Sequence, residues 1–248
     1  MYNPFSLSRK TILVTGASSG IGKATAIECS KLGASVIITG RNRERLNETF
    51  SELENEGHNQ VIADLCETSS LQYLVTGIEH IDGIVHCAGI TKNIPFQFAT
   101  TDKLSEIINL NFFAPTELTR LLVKNKKINK GGSIVFISSV SGVLCSAPAS
   151  SMYSASKGAV NGLIKGIALD LAPRGIRVNS VIPGVVETNI FEAGVISEEQ
   201  LEENKRMYPL KRFGKPIEIA HSVIYLLSDA SAWITGSNLL IDGGLTLQ

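Results

Sequence analysis

The chain has 248 residues, 44% of them hydrophobic, and 23 Lys and Arg offset 23 Asp and Glu to a net charge of zero. That length suits one large α/β domain, the apolar content excludes a disordered chain, and the neutral balance excludes a whole-molecule field that gathers nucleic acid or an anionic membrane. Anion recognition must then be local; no run reaches the ~20 apolar residues of a membrane span and the first ten residues hold no apolar leader core, so a soluble cytoplasmic protein is expected.

Short β-branched runs alternate with longer helical stretches. Strands are expected at 11–15, 35–39, 60–63, 83–86, 133–138, 177–182 and 238–241, and helices near 20–32, 43–56, 68–78, 101–125, 153–172 and 216–228. In the first helix Ile21, Ala24, Ile27 and Leu32 share a face. Near-continuously apolar strands are buried on both faces, and right-handed helical crossovers make their sheet parallel. The expected fold is a single α/β domain of Rossmann type over residues 1–248, a doubly wound seven-stranded parallel sheet with helices on both faces. Compact domains seldom carry a connection as long as 183–216 without a functional reason, and a substrate lid is expected at about 189–210, with Phe191, Val195, Ile196, Met207 and Tyr208 as its apolar members.

The first strand runs into Thr15-Gly16-Ala17-Ser18-Ser19-Gly20-Ile21-Gly22 and then a helix. Glycines let the backbone approach a diphosphate, and the free N–H groups and dipole of the helix start favour its charge. Farther on, Tyr153 and Lys157 stand at i and i+4 on one helical face, and Ser139 follows an apolar strand, with Ser138 and Ser141 nearby. Each alone fits a polar turn or a surface pair. Gly16, Arg41, Asp64, Gly89, Ser139 and Pro183 all follow expected strands, and the carboxyl edge of an open parallel sheet is where ligands bind.

The T-G-x-x-x-G-x-G turn, the S...Y-x-x-x-K set and the terminal Ile241-Asp242-Gly243-Gly244 together resemble the short-chain dehydrogenase/reductase family over nearly the whole chain, with 3-oxoacyl-(acyl-carrier-protein) reductases as the nearest look. The resemblance implies catalytic roles for Asn111, Ser139, Tyr153 and Lys157. Tyr153 would be the acid at a carbonyl oxygen. An ammonium about 5 Å away, at an effective dielectric of about 20, favours its phenolate by ~3 kcal/mol, so Lys157 is expected to lower the tyrosine pKa. Lys157 would also hold the nicotinamide ribose. Ser139, with Ser141 as the alternative, would steady the developing alkoxide, and Asn111 would fix a relay water.

The resemblance also implies a cofactor site. Gly16, Ser18, Ser19, Gly20, Ile21 and Gly22 would wrap the diphosphate. Arg41, after Gly40, stands where an NAD enzyme carries an acid, which favours NADP(H) over NAD(H) because a guanidinium forks onto a 2′-phosphate; otherwise it is a solvated helix start. Asp64 and Leu65 resemble an adenine-contacting pair, although Asp64 alone reads as a turn or cap residue. Ala88 and Gly89 would lie against ribose within His86-Cys87-Ala88-Gly89, where the family shows N-N-A-G. The family's sheet-pinning asparagines are absent there; His86 could replace one of them, and at strand centre it reads as a structural histidine and not a catalytic base. Pro183, Gly184, Val186 and Thr188 match the element that binds the nicotinamide carboxamide.

No metal site is expected, because Cys29, Cys66, Cys87 and Cys145 lack zinc spacing and read as small buried thiols. Partners implied are a small carbonyl substrate or an acyl thioester, and an acyl carrier protein at Lys130 and Arg174, where the basic run Arg120, Lys124, Lys126, Lys127 and Lys130 is otherwise a solvated face. A homotetramer through the long helices and the C-terminal strand, near Trp233, is likewise implied. The leading expectation is NADPH-dependent carbonyl reduction. Oxidation of a sugar or other secondary alcohol, and a cofactor sensor on the same fold, are the alternatives.

Overall fold

The computed structural model describes residues 2–188 and 198–247. Seven strands, β1 (Thr11–Thr15), β2 (Ser35–Gly40), β3 (Asn59–Ile62), β4 (Ile81–His86), β5 (Ile128–Ile137), β6 (Arg177–Pro183) and β7 (Asn238–Ile241), form one sheet in the order β3-β2-β1-β4-β5-β6-β7. Every neighbouring pair is parallel. The connecting helices are α1 (Gly20–Lys31), α2 (Arg43–Ser51), α3 (Thr68–Gly77), α4 (Thr101–Ile108), α5 (Ala114–Lys124), α6 (Ser151–Leu171), α7 (Glu198–Arg206) and α8 (Pro216–Leu227).

Two apolar layers explain the sandwich. Leu13, Ile84, Ile134 and Phe136 point to one face of the sheet and pack with Leu74, Leu118 and Ile164 from α3, α5 and α6. Ile12, Val14, Val85 and Val135 point to the other and pack with Ala26, Leu46 and Val223 from α1, α2 and α8. Successive strand residues face opposite sides, so a continuously apolar strand is what a sheet covered on both faces requires.

Three differences from the expected elements have local causes. The stretch 101–125 is not one helix: a π turn at Asn109–Phe113 separates α4 from α5. Helix α2 stops at Ser51 instead of 56, and the chain beyond it turns left-handed at Asn55 and Gly57, φ 74° and 83°, which bars helix from reaching 56. Strand β5 begins five residues early, at Ile128, with a register irregularity against β4 between Ile81 and Gly83. The long connection holds α7, whereas Phe191, Val195 and Ile196 lie outside the described residues. The cysteines depart from the uniformly buried expectation: Cys29 is buried, Cys87 half-buried, and Cys66 and Cys145 are exposed. Among the described residues no helix is long and apolar enough to cross a membrane.

Candidate active site

A parallel sheet delivers the end of every strand to one edge, and the candidate groups meet there. Beyond β1, Gly16 turns at φ 63°; a Cβ on it would lie 2.7 Å from the Ala88 nitrogen, and one on Gly22 would lie 2.3 Å from the Gly16 oxygen. No side chain fits at either position, so the turn is bare backbone packed on β4's continuation. Ser19 precedes α1 in an extended conformation, its side chain caps no N–H, and the first turn holds no acid. The helix start is therefore left free of an internal anion, as a diphosphate site needs. Ile21 packs onto the core. Ser18 borders Gly40, where a Cβ would come within 3.4 Å of its hydroxyl.

Beyond β2 and β3, the Arg41 guanidinium lies 3.6 Å from the Asp64 carboxylate. The other Asp64 oxygen accepts from the Cys66 N–H at 2.9 Å, an Asx-type turn. Asn42, not Arg41, caps α2 by accepting from the Arg45 N–H. The Leu65 side chain is committed to the core beside Leu71 and Leu74, not to a ligand face.

His86 ends β4. Its Nε2 lies 2.8 Å from the Thr119 hydroxyl and its ring stacks on Phe136 with centroids 4.6 Å apart. Burial pulls the imidazole down to about 3, so it is neutral and structural. Thr15 Oγ1, at the end of β1, accepts from the Cys87 and Ala88 N–H groups at 3.1 and 3.3 Å and so ties the chain after β4 to its neighbour strand. The sequence signal for this role was the threonine ahead of the glycine turn.

The three serines after β5 separate cleanly. Ser139 hydrogen-bonds the Tyr153 hydroxyl and accepts from the Ser141 N–H at 3.1 Å. Ser138 turns toward α6, bonding the Lys157 carbonyl and the Asn161 amide. Lys157, on the next turn of α6, sets its Nζ 5.8 Å from the centre of the Tyr153 ring and donates to the Ile137 carbonyl at 2.7 Å. Burial lowers this ammonium to about 8. The Tyr153 phenol corrects an expectation: burial pushes it above its ordinary value, the Ser139 hydrogen bond opposes this only in part, and lowering by Lys157 is not found.

Asn111 sits in the π turn, a feature that recurs at functional sites because the extra residue re-aims a side chain. Its Oδ1 accepts from the Ile90 N–H at 2.8 Å, and its Nδ2 donates to the Ile90 carbonyl and the Ser156 hydroxyl at 2.9 and 3.0 Å. The amide is thus committed to anchoring the loop after β4. A Cβ on Gly89 would lie 3.1 Å from Asn111 Oδ1 and 3.7 Å from Lys157 Nζ, so this glycine keeps the space between them open.

After β6, Pro183 accepts from the Val140 N–H, Gly184 donates to the Ile241 carbonyl, and Val186 bridges to Gly214. Thr188 lies beside Gly20, and its buried hydroxyl has no partner among the described residues. A buried hydroxyl left without a partner is costly, and a ligand amide is the kind of group that would satisfy it. The bare glycine turn, the uncapped helix start and this hydroxyl all fit a nicotinamide dinucleotide. Outside the cleft, Arg120 forks onto the Glu117 carboxylate, whereas Arg174 donates to the neutral Ile128 carbonyl and keeps its charge.

Such a sheet edge is suited to dinucleotide-linked oxidation and reduction. The chain belongs to the short-chain dehydrogenase/reductase family of oxidoreductases: a family model described as enoyl-(acyl carrier protein) reductase matches residues 16–246. A 3-oxoacyl-(acyl-carrier-protein) reductase of Rickettsia bellii is 36% identical over 241 residues, covering 97% of this chain and 98% of its own. A tropinone reductase homolog of Arabidopsis thaliana is 35% identical over 252 residues, covering 98% and 94%. The crystal structure of a dehydrogenase/reductase from Sinorhizobium meliloti superimposes with a TM-score of 0.89 at 34% identity, covering 98% of this chain and 97% of that one.

Proposed function

We propose that the protein is an NADPH-dependent reductase that converts a ketone to a secondary alcohol, with a 3-oxoacyl thioester as the substrate class. The observation that carries this reading is the Tyr153 hydroxyl held by Ser139, with Lys157 5.8 Å from the ring, at the edge that also holds the bare glycine turn. The names of the Rickettsia and Arabidopsis relatives, both reductases or their homologs, support carbonyl chemistry.

Bound nicotinamide cofactor supplies the hydride. The protein's own groups manage the substrate oxygen. Tyr153 gives its proton to that oxygen, and Ser139, oriented by the Ser141 N–H, donates a second hydrogen bond that stabilises the alkoxide charge. The Lys157 ammonium, one helical turn beyond Tyr153, would hold the nicotinamide ribose. The relay water assigned to Asn111 is proposed at its main-chain carbonyl, since its amide is already committed. Arg41 would leave Asp64 for the cofactor 2′-phosphate, Asp64 and the main chain of Leu65 would meet adenine, and Ala88 and Gly89 would lie against ribose. Pro183, Gly184, Val186 and Thr188 would hold the carboxamide.

The segment 189–210 is proposed as the substrate lid, and the site of action as the cytoplasm. Wholly exposed Trp233 and partly exposed Leu240 on edge strand β7 support a homotetramer. Lys130 and Arg174 are proposed to receive an acidic acyl carrier protein. The test follows nicotinamide absorbance, its loss from NADPH or NADH with acetoacetyl thioesters and diketones and its gain from NADP+ or NAD+ with sugars and secondary alcohols. Turnover of the thioester with NADPH is expected; activity confined to oxidation of sugars or other alcohols would overturn the reading.

A further inference from the structure

Residues 207–214 return the chain from α7 toward α8, and this leg braces the strap that follows β6. The Gly214 N–H donates to the Val185 carbonyl at 3.0 Å and the Glu187 N–H donates to the Gly214 carbonyl at 2.8 Å. The remaining main-chain group of Val185, its N–H, donates to the Tyr208 hydroxyl at 3.1 Å. One side chain thus completes the grip of the return leg on Val185.

Tyr208 is itself held firmly. It is 3% exposed and meets Phe213 edge-on, with ring centres 5.5 Å apart. Its ring lies against the C-terminal turn, where a Cβ on Gly243 would come within 3.4 Å of it, and one on Gly244 would lie 2.8 Å from Pro209. Both glycines are left-handed, at φ 62° and 85°. Asp242 fixes that turn by accepting from the Gly244 and Thr246 N–H groups at 3.0 and 2.8 Å. The glycine pair near the chain's end therefore serves close packing against the return leg.

We infer that Tyr208 is a positioning residue for the nicotinamide end of the cleft: its hydroxyl fixes Val185, and through it the strap from Gly184 to Thr188. The inference rests on the cofactor reading proposed above. Removing one neutral hydrogen bond weakens a held geometry by a factor of about 2 to 10, and only ligand groups that touch the strap should register it.

The experiment compares the wild-type chain with Tyr208→Phe. Binding of NADPH is followed by its fluorescence, and binding of 2′-phospho-ADP-ribose, which lacks nicotinamide, by calorimetry; NADH and ADP-ribose form a parallel pair. The variant should bind the full dinucleotide about fivefold more weakly and the nicotinamide-free fragment within about twofold of wild type. Equal weakening of both ligands would show a general structural role and overturn the inference, as would no change in either. A wild-type protein that binds none of the four overturns the cofactor reading itself.

Discussion

The Lys157 ammonium donates to the Ile137 main-chain carbonyl at 2.7 Å while 6% exposed, and no carboxylate pairs with it among the described residues. Burial accordingly lowers it from 10.5 to about 8. Between those values the unfolded chain holds more protons than the folded one, so stability rises with pH across pH 8 to 10.5 and the cost is fully present below pH 8. Lys157→Met should abolish reduction yet stabilise the fold at pH 7 by up to about 3 kcal/mol. Denaturant unfolding at pH 7 and pH 10 checks this: the gain should shrink at the higher pH, and an equal gain at both would place its origin elsewhere.

The same titration governs turnover. With Lys157 charged below about pH 8 and neutral above it, kcat/KM for carbonyl reduction in the free enzyme should fall as pH passes that region. A profile flat from pH 7 to pH 9 would contradict the assigned role.

Ser138 and Ser139 are adjacent, but Ser139 acts on the Tyr153 phenol whereas Ser138 bonds the Lys157 carbonyl and the Asn161 amide. Tyr153→Phe should lower kcat by about 100-fold or more, and Ser139→Ala by a comparable factor. Ser138→Ala should leave kcat within about threefold and instead cost about 1 kcal/mol of stability, because it strips a partner from the buried Asn161 amide. Steady-state rates and melting curves on the three variants separate these outcomes.

The strands and glycine turn were legible because apolar runs and positions that exclude a side chain leave marks in local sequence. Tyr153 and Lys157 were legible from helical spacing. The π turn was not, since an apolar pattern across 101–125 reads as continuous helix and the extra residue is set by where Asn111 must bond Ile90. Nor was the Tyr153 pKa: Lys157 stands 5.8 Å from the ring centre, but the side chain's own desolvation dominates, and burial is a tertiary property. Tyr208 appeared only as an apolar lid residue, because its partner Val185 is 23 positions away. Leu65 shows the converse, a motif position whose side chain is spent on the core.

Arg41 and Asp64 face one another across 3.6 Å, both accessible, so the pair is screened and contributes little to stability. Its value lies in selection. Arg41→Ala should raise the KM for NADPH about tenfold or more while leaving that for NADH within about twofold, since only the former carries a phosphate dianion for the guanidinium. Parallel loss on both cofactors would mean that Arg41 shapes the loop instead of reading the phosphate.

His86 makes the fold sensitive to acid. Its Nε2 is bonded to Thr119, its Nδ1 has no partner among the described residues, and the ring is 4% exposed against Phe136, so a second proton there would sit buried without an acceptor. The folded-state value falls from 6.5 to about 3, which means the unfolded chain takes up the proton first and stability is lost as pH drops from 6.5 toward 3. The full interval corresponds to about 5 kcal/mol at most, comparable to the whole stability of a marginal domain. His86→Asn should lower stability at pH 7 through lost packing on Phe136 but flatten the decline between pH 6.5 and pH 4. Urea midpoints measured at those pH values decide it: parallel declines in the two proteins would assign the acid sensitivity to another group, whereas convergence of the midpoints toward acid would tie it to this imidazole.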